Sequence, residues 1–399
     1  MTLDPNQSSL VAIACGGTGG HLFPGVAVAE ELMKRGVDVN LLVSSKAVDR
    51  LATRALTGME IISLPVIGSR QGGRLTFLLS LVRAVRASRQ RFRACPPSVL
   101  LSMGGFVGMP PVVAAVTCRI PVFLHEANAV PGRANRWCAR FAREVFLGFE
   151  QAGESWSIRR RTATGTPVRD GFADAASGPA RQKLGLKPDQ PVLLVMGGSQ
   201  GATAINRLVI NGLAELSRIR PELQYLHLTG TTEATLVREA YERRGIPAVV
   251  QPFLEDMSAA LGAATLAISR SGASSLAEFA ALRVPAVLIP YPHALGDHQT
   301  INATILSRIG AAIQLDEAQA KAGTLVQIID DVLRDDAKRS AMKRALARCH
   351  RPDAALRMVD RICATVPALR RYATRDKVRL PNSSQQGSAL NSLGFQPPT

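Results

Sequence analysis

Three ionisable side chains follow predicted strand ends and are suited to moving a proton. His21 comes directly after the glycine-rich residues 16–20, and His125 and Glu126 close the apolar run that begins at Pro121. A helix that begins at the glycines would disfavour an imidazolium, so His21 is expected to be neutral and able to accept a proton. His21 is our first candidate for a general base and Glu126 is the second. A purely structural histidine is the alternative for both His21 and His125.

Two glycine-rich segments could hold phosphate groups. Residues 15–21 are Cys-Gly-Gly-Thr-Gly-Gly-His, and residues 197–202 are Gly-Gly-Ser-Gln-Gly-Ala. Each follows an apolar run and precedes a helical pattern, so backbone N–H groups and the helix dipole can face an anion. A tight turn needed only for helix packing is the alternative for each. A nicotinamide domain usually ends its second strand with an acid, whereas the run at 39–43 continues into Ser-Ser-Lys, which counts against a dinucleotide.

Two further segments have residue types suited to a nucleotide sugar. In residues 269–278, SRSGASSLAE, a glycine turn precedes a helix that places Glu278 about two turns from its start. A carboxylate there could accept hydrogen bonds from both hydroxyls of a ribose; an exposed helix residue is the alternative. In residues 297–302, DHQTIN, clustered polar side chains could bind the hydroxyls of a sugar. No spacing of His, Cys and Asp indicates a metal site.

Alternating strands and helices would position these segments. One series of apolar runs lies at 10–14, 39–43, 61–64, 98–102 and 121–124. A second series lies at 191–196, 225–229, 248–251, 266–269 and 286–290. The alternation predicts an α/β protein of two Rossmann-like, doubly wound domains that face each other across a cleft.

The predicted domain boundaries follow from composition. The N-terminal domain covers residues 8–165 and the C-terminal domain residues 166–366, with a hinge at 162–173 rich in Gly, Thr and Pro. The last helix of the second domain could return to the first. Residues 367–399 form a basic, polar tail that we expect to be disordered.

The net charge and the cysteine pattern indicate which kind of partner and which compartment suit the protein. The 399 residues carry a formal net charge of +17, which indicates a polyanionic neighbour such as nucleic acid, an acidic membrane or a phosphorylated ligand. The six cysteines include no CxxC pair and are expected to be reduced thiols in the cytosol. Residues 1–9 are not typical of a secretory signal. The uncharged stretch 94–118 is interrupted by prolines and glycines, so no membrane span is predicted.

A basic, apolar helix is predicted near residue 80. No Asp or Glu occurs between Glu60 and Glu126, whereas this stretch contains eight arginines. Leu75, Leu78, Leu79 and Val82 form one helical stripe, and Phe77 and Leu81 lie opposite it. One face can pack on its own domain while the other contacts an anionic bilayer, and we expect substitution of Phe77 and Leu81 to abolish vesicle binding. The expected membrane contacts are Leu75, Phe77, Leu78, Leu81, Arg74, Arg83 and Arg86. A helix covered by protein on both faces is the alternative, and the shortage of aromatic residues disfavours nucleic acid.

Eight segments, in this order, resemble those of one family: GGTGGHLFPGVAVAEEL, SMGGFVG, LHEANAVPGRANR, TGTPVR, GGSQGA, PFLEDM, SRSGASSLAE and DHQTINA. The family comprises two-domain bacterial glycosyltransferases of GT-B architecture that add N-acetylglucosamine to undecaprenyl-pyrophosphate-linked muramoyl pentapeptide in peptidoglycan synthesis. The resemblance covers about residues 10–365.

That resemblance implies an inverting transfer from UDP-N-acetylglucosamine to the C4 hydroxyl of the lipid-linked acceptor, without metal or cofactor. It also implies a peripheral enzyme on the cytoplasmic face of the inner membrane. Its partners would be the two substrates, an anionic membrane surface and other cell-wall synthesis proteins, with no nucleic acid.

Roles for individual residues are implied in the same way. Thr18, Gly19 and Gly20 would belong to the donor or acceptor-phosphate loop, with His21 near the reacting sugar. Asn128 would contact N-acetylglucosamine, Arg169 and Ser199 the UDP moiety, and Leu254 the uracil. The pyrophosphate-and-ribose segment would consist of Ala273, Ser274, Ser275, Leu276, Ala277 and Glu278. The pair that binds the sugar hydroxyls would be His298 and Gln299.

Three positions depart from the family pattern. Ala127 stands where the family has Gln, Thr166 where it has Asn, and Phe106 where it has Tyr. None of the three is assigned to the donor. Other interpretations remain: a nicotinamide oxidoreductase, a non-catalytic polyanion-binding protein, or a glycolipid synthase of the same fold.

Overall fold

A computed structural model describes residues 9–44, 58–65, 73–154, 156, 158, 160–172, 177–198 and 201–373, with the backbone alone for 73–75. A seven-stranded parallel sheet organises the first domain, in the order β3-β2-β1-β4-β5-β6-β7. Its strands are β1 (Val11–Ala14), β2 (Val39–Ser44), β3 (Glu60–Leu64), β4 (Val99–Ser102), β5 (Val122–Glu126), β6 (Glu144–Leu147) and β7 (Arg161–Ala163).

Helices cover both faces of this sheet. They are α1 (Gly19–Lys34), α2 (Gly73–Ala94), α3 (Gly105–Thr117) and α4 (Arg133–Cys138), with a 3₁₀ turn at Glu150–Gly153. The central strands β1, β2 and β4 are buried along their whole length, which explains why they are mostly aliphatic and do not alternate with polar residues.

A six-stranded parallel sheet organises the second domain, in the order β10-β9-β8-β11-β12-β13. Its strands are β8 (Val192–Met196), β9 (Gln224–Leu228), β10 (Ala248–Gln251), β11 (Leu266–Ser269), β12 (Ala286–Leu288) and β13 (Ala312–Gln314). Its helices are α5 (Ser177–Lys183), α6 (Thr203–Ile219), α7 (Ala234–Glu242), α8 (Met257–Ala263), α9 (Ala273–Leu282), α10 (His298–Arg308), α11 (Ala322–Arg334) and α12 (Asp336–Cys349). Both sheets contain the doubly wound order 3-2-1-4-5-6, which confirms the predicted pair of Rossmann-like domains.

The end of the described chain packs on the first domain. Helix α13 (Ala354–Thr365) places Met358 and Ile362 in the core formed around β1 and α1. The 3₁₀ turn Pro367–Tyr372 follows it and buries Leu369 completely in the same core. The expectation that a disordered tail begins at residue 367 is therefore wrong, because folded structure continues to residue 373, and 374–399 lie outside the described residues.

Two chain segments cross between the domains. The first follows β7, whose last two residues lie inside the predicted hinge, and the second joins α12 to α13. They touch at Gly165, where φ is +83° and a Cβ would lie 2.6 Å from the Arg351 Cβ. Only glycine therefore allows this close approach.

Of the two apolar sides predicted for helix α2, the side with Phe77 and Leu81 packs on the domain, and the side with Leu78 is exposed. Leu81 is 9% exposed in the core of the first domain, and the half-buried Phe77 packs against Phe106 with ring centroids 6.4 Å apart. Leu78, Leu79 and Val82 are 57%, 49% and 50% exposed. The inner face follows Phe77, Leu81, Ala84, Ser88 and Phe92 along the helix. Phe77 and Leu81 are thus wrong as membrane contacts, and the side chains of Arg74 and Leu75 lie outside the described ones.

Among the described residues, no helix combines the length and apolar character needed to cross a bilayer.

Candidate functional site

The glycine-rich segments lie at the switch points of the two sheets. In the first domain, β1 and β4 are neighbours and lead into α1 and α3; in the second, β8 and β11 are neighbours and lead into α6 and α9. Ligands of doubly wound sheets bind where neighbouring strands send their helices to opposite faces. The Ser274 hydroxyl at the start of α9 donates to the Gly20 carbonyl in α1 at 2.7 Å. The first turns of α1 and α9 therefore meet across the cleft.

His21 lies in the first turn of α1, between two glycine-rich turns. Its Nδ1 is 3.1 Å from Oγ1 of Thr18, the residue that precedes the helix. On its other side, a Cβ at Gly105 would come within 3.0 Å of the imidazole Cε1. Gly105 has φ +74°, so this close contact and the backbone conformation both require glycine. Thr18 and Gly105 together fix the plane of the ring.

Glu126 is buried at the end of β5 and its carboxylate is fully hydrogen-bonded. Oε1 accepts from the backbone N–H of Asn128 at 2.9 Å and from its Nδ2 at 3.1 Å. Oε2 accepts from the Gly132 N–H at 3.0 Å and from Asn135 Nδ2 at 2.7 Å. Burial raises the pKa of Glu126, and these four donors oppose that shift. The carboxylate orders the loop 126–132 and offers no free lone pair to a substrate proton.

His125 is sealed inside the first domain, with 1% of its surface exposed. Desolvation lowers its pKa to about 4, so the ring is neutral near pH 7. Because no substrate can reach it, the structural alternative applies to His125.

Glu278 lies in the second turn of α9 and is 9% exposed, which excludes the exposed alternative. Desolvation raises its pKa to about 7, and the positive charge of Arg169 partly offsets that rise. Within the described part of the chain, no hydrogen bond reaches the carboxylate. The Arg169 guanidinium lies 4.3 Å from the centre of the Phe23 ring of α1, so it sits between α1 and α9. A buried carboxylate and a cation thus share one side of the cleft.

The start of α10 packs against the turn that precedes α9. The Ser271 hydroxyl donates to the Gln299 carbonyl at 2.7 Å, and Gln299 Oε1 accepts from the Tyr291 N–H at 3.0 Å. His298 Nδ1 lies 2.8 Å from the Leu295 carbonyl. The predicted sugar-binding pair is therefore held beside the predicted pyrophosphate segment.

The remaining predicted residues occupy these positions. On α9, Ala273 and Leu276 are buried, and Ser274, Ser275 and Ala277 are half-buried. Leu254 follows β10 and is half-buried against the second-domain core. Ser199 lies outside the described residues, so its predicted role is not tested.

Three buried polar residues make structural contacts that the sequence did not predict. Asn302 of α10 is fully buried and bonds to both domains. Asn135 joins the Gly105 N–H, at 3.2 Å, to Glu126. Arg270 donates to the carbonyls of Ile289 and Pro290, both at 3.0 Å, and thereby shapes the loop before α10. The sequence placed Asn302 in the sugar-binding cluster 297–302 and not in a contact between the domains, whereas Asn135 and Arg270 received no role.

Family models match both domains of the chain. The glycosyltransferase family 28 N-terminal domain matches residues 11–147, and the C-terminal domain of the same family matches residues 192–358. The chain belongs to glycosyltransferase family 28. Both switch-point crevices of this family 28 chain fall within the matched residues.

Curated relatives of the family 28 chain are similar over nearly their whole length. A protein of Pseudomonas putida is 38% identical over 89% of this chain and 97% of its own. A protein of Xanthomonas campestris is 40% identical over 88% of this chain and 80% of its own. Both are named UDP-N-acetylglucosamine–N-acetylmuramyl-(pentapeptide) pyrophosphoryl-undecaprenol N-acetylglucosamine transferase.

Solved structures show the same architecture. MurG of Acinetobacter baumannii is 27% identical, with a TM-score of 0.66 over 89% of this chain and 99% of that one. A UDP-N-acetylglucosamine 2-epimerase from Listeria monocytogenes, described as putative, has a TM-score of 0.69 at 14% identity, over 90% of this chain and 96% of that one. At that identity the second likeness concerns the fold alone.

Proposed function

We infer that this glycosyltransferase moves N-acetylglucosamine from UDP-N-acetylglucosamine to the C4 hydroxyl of undecaprenyl-pyrophosphoryl-muramoyl pentapeptide. The names and near-complete coverage of its relatives support this reaction. The site observation that carries the inference is the buried Glu278, two turns into a helix whose first turn touches the first turn of α1. That arrangement supplies one carboxylate for a ribose and two helix N-termini for phosphate in a single cleft.

Donor binding is assigned to the second domain. The N-terminus of α9, from Ala273 to Ala277, would face the pyrophosphate, and its amides would stabilise the charge that develops on departing UDP. Glu278 would accept hydrogen bonds from both ribose hydroxyls. Arg169 and Ser199 would contact the UDP moiety, with Leu254 at the uracil and His298 and Gln299 at the sugar hydroxyls.

Proton transfer is assigned to the first domain. His21 would take the proton of the acceptor hydroxyl as that oxygen attacks C1 from the side opposite UDP, which inverts the α-linked donor to a β-1,4 product. Its imidazole is held by Thr18 and Gly105, whereas the lone pairs of Glu126 are occupied. His21 is therefore the better supported base. Thr18, Gly19 and Gly20 would form the adjoining phosphate loop.

Membrane contact is assigned to α2 and the neighbouring α3. The exposed side chains of Leu78, Leu79 and Val82 form the apolar face, Arg83 and Arg86 are exposed on the same helix, and Val116 is a further exposed apolar residue on α3. Apolar insertion together with basic residues favours an anionic bilayer. The enzyme would thus work on the cytoplasmic face of the inner membrane, where its polyprenyl acceptor is anchored.

A double substitution tests that surface. We expect Leu78→Glu with Val82→Glu to weaken binding to phosphatidylglycerol-containing vesicles at least about 10-fold and to spare transfer to a short-chain acceptor analogue. Leu236→Glu, at an equally exposed leucine of the second domain, is the matched control and should bind normally. Unchanged vesicle binding by the double variant would contradict the assignment.

Transfer itself is tested with radiolabelled UDP-N-acetylglucosamine and the lipid-linked muramoyl acceptor in detergent. Labelled lipid and UDP should appear in equal amounts, and neither should form without acceptor. Release of UDP without a labelled lipid, or no reaction at all, would reject the function.

A further inference from the structure

Asn302 is the point at which α10 joins the first domain. Its side chain is fully buried, and its Oδ1 accepts from the Ala129 N–H at 3.0 Å. Its Nδ2 donates to Asn128 Oδ1 at 3.1 Å and to the Ser271 carbonyl at 3.2 Å. One amide therefore uses its donor and its acceptor together to bind the first-domain loop and the donor-side turn.

The loop on the other side of this contact is set by Glu126. Its carboxylate accepts from the side chain and backbone of Asn128, and from Gly132, as described above. The Asn128 amide is consequently oriented from both ends, by Glu126 at Nδ2 and by Asn302 at Oδ1. One hydrogen of Nδ2 and one lone pair of Oδ1 remain for a sugar.

Glu126 is also linked, through Asn135, to Gly105 beside the His21 ring. Asn135 donates to Glu126 Oε2 at 2.7 Å and accepts from the Gly105 N–H at 3.2 Å. Gly105 is the residue against which the His21 ring lies. The hydrogen bonds thus form a continuous path from α10, which begins with His298 and Gln299, to the backbone that positions His21.

We propose that Asn302 and Glu126 are positioning residues for sugar transfer. They hold the donor-side helix α10 and the Gly105 backbone beside His21 in a fixed relative position. This role rests on the proposed function. Neither residue needs to touch the reacting atoms. Loss of either lets the two halves of the site shift, and a misplacement of about 1 Å can cost about 100-fold in rate.

Isosteric variants of Asn302 and Glu126 test this positioning role. In Asn302→Asp an oxygen replaces Nδ2 and faces two acceptors, and in Glu126→Gln an NH₂ group faces N–H donors. Each variant should lower kcat about 30- to 100-fold while changing the Kd of UDP-N-acetylglucosamine less than about 3-fold. Because both act through the same loop, the double variant should be about as impaired as the worse single one rather than multiplicatively worse. The control is Thr304→Val in the same helix, whose hydrogen bonds stay inside the second domain, and which should keep kcat.

Two further readouts separate positioning from other roles. The pH–rate profile of Glu126→Gln should keep its shape at reduced height, whereas loss of the acidic limb would make Glu126 the base. Hydrogen exchange of the peptide 127–132 should accelerate in both variants while the second-domain core stays protected. If Asn302→Asp does not fold, the shorter Asn302→Ser removes the same contacts between domains and should show the same kcat loss. Multiplicative effects, or a kcat within about 3-fold of wild type, would overturn the proposal. A wild-type enzyme that transfers no sugar would instead reject the proposed function.

Discussion

The affinity for UDP-N-acetylglucosamine should depend on pH through Glu278. Its pKa rises from an ordinary 4.5 to about 7 because the folded protein desolvates it. A ribose that donates two hydrogen bonds to this group favours the carboxylate, so binding should release a proton below about pH 7. At about pH 6, one unit below the pKa, ionising the group costs about 1.4 kcal/mol, and the affinity should be about 10-fold weaker than on the plateau above about pH 8.

The variant Glu278→Gln separates this effect from others. It keeps the shape of the side chain but cannot ionise, so its affinity should show no such pH dependence and should be about 10- to 100-fold weaker than the wild-type plateau. Calorimetry at several pH values in buffers of different ionisation enthalpy measures affinity and proton release together. The sugar nucleotide is the correct ligand, because the terminal phosphate of UDP itself titrates near pH 6.

The same residue should destabilise the empty enzyme. Between pH 4.5 and about 7 the unfolded chain ionises Glu278 and the folded chain does not, so stability falls as pH rises through this window. The shift corresponds to about 3 kcal/mol, and without ligand Glu278→Gln should therefore be more stable than wild type by up to that amount at about pH 8. A wild-type affinity that is flat across this range, or that weakens above pH 7, would refute the assignment of an ionised Glu278 to the ribose.

Two other predictions concern proton transfer and the packing of α13. His21→Ala should lower kcat about 10²- to 10⁴-fold while leaving the Kd of UDP-N-acetylglucosamine within about 3-fold; near-normal turnover would remove His21 from the role of base. Arg361→Met should cost about 2 kcal/mol in urea unfolding, because it leaves the buried Glu144 carboxylate without the two hydrogen bonds, 3.0 and 3.1 Å long, that Arg361 donates. Arg357→Met, which loses only an i,i+4 pair 3.7 Å long on the same helix, should cost under about 0.5 kcal/mol; equal losses would contradict this account.

The sequence predicted the sheets better than it predicted the helical surface. Buried parallel strands are aliphatic on both faces, so the run at 266–269 coincides with β11. The short edge strands β7 and β13 are only partly buried, and their runs are correspondingly weak. Helix α2 was misjudged because it is apolar on two sides near residue 80, and the sequence alone does not say which side the domain covers.

The position of a site residue is easiest to predict where one motif fixes the local backbone. Glu278 could be placed because a glycine turn and a helix start fix its depth, but no sequence pattern gives its burial or the pKa that follows. Glu126 illustrates the limit: a carboxylate beside a histidine suggests a base, whereas its four donors come from Asn128, Gly132 and Asn135, and only the folded loop brings them together.

The two domains meet across the cleft through hydrogen bonds that can break during turnover. Across the cleft the described contacts include single hydrogen bonds from Ser274 to Gly20 and from Ala129 to Asn302. Net contributions of about 1 kcal/mol per bond allow such a closure to open again within a catalytic cycle. The two domains are held together more firmly by α13, which buries Met358 and Ile362 in the first-domain core. This helix fixes one end of the segment that crosses between the domains beside Gly165. Rotation about that fixed crossing, with hydrogen bonds of this kind breaking at the cleft, would let UDP leave without unfolding either sheet.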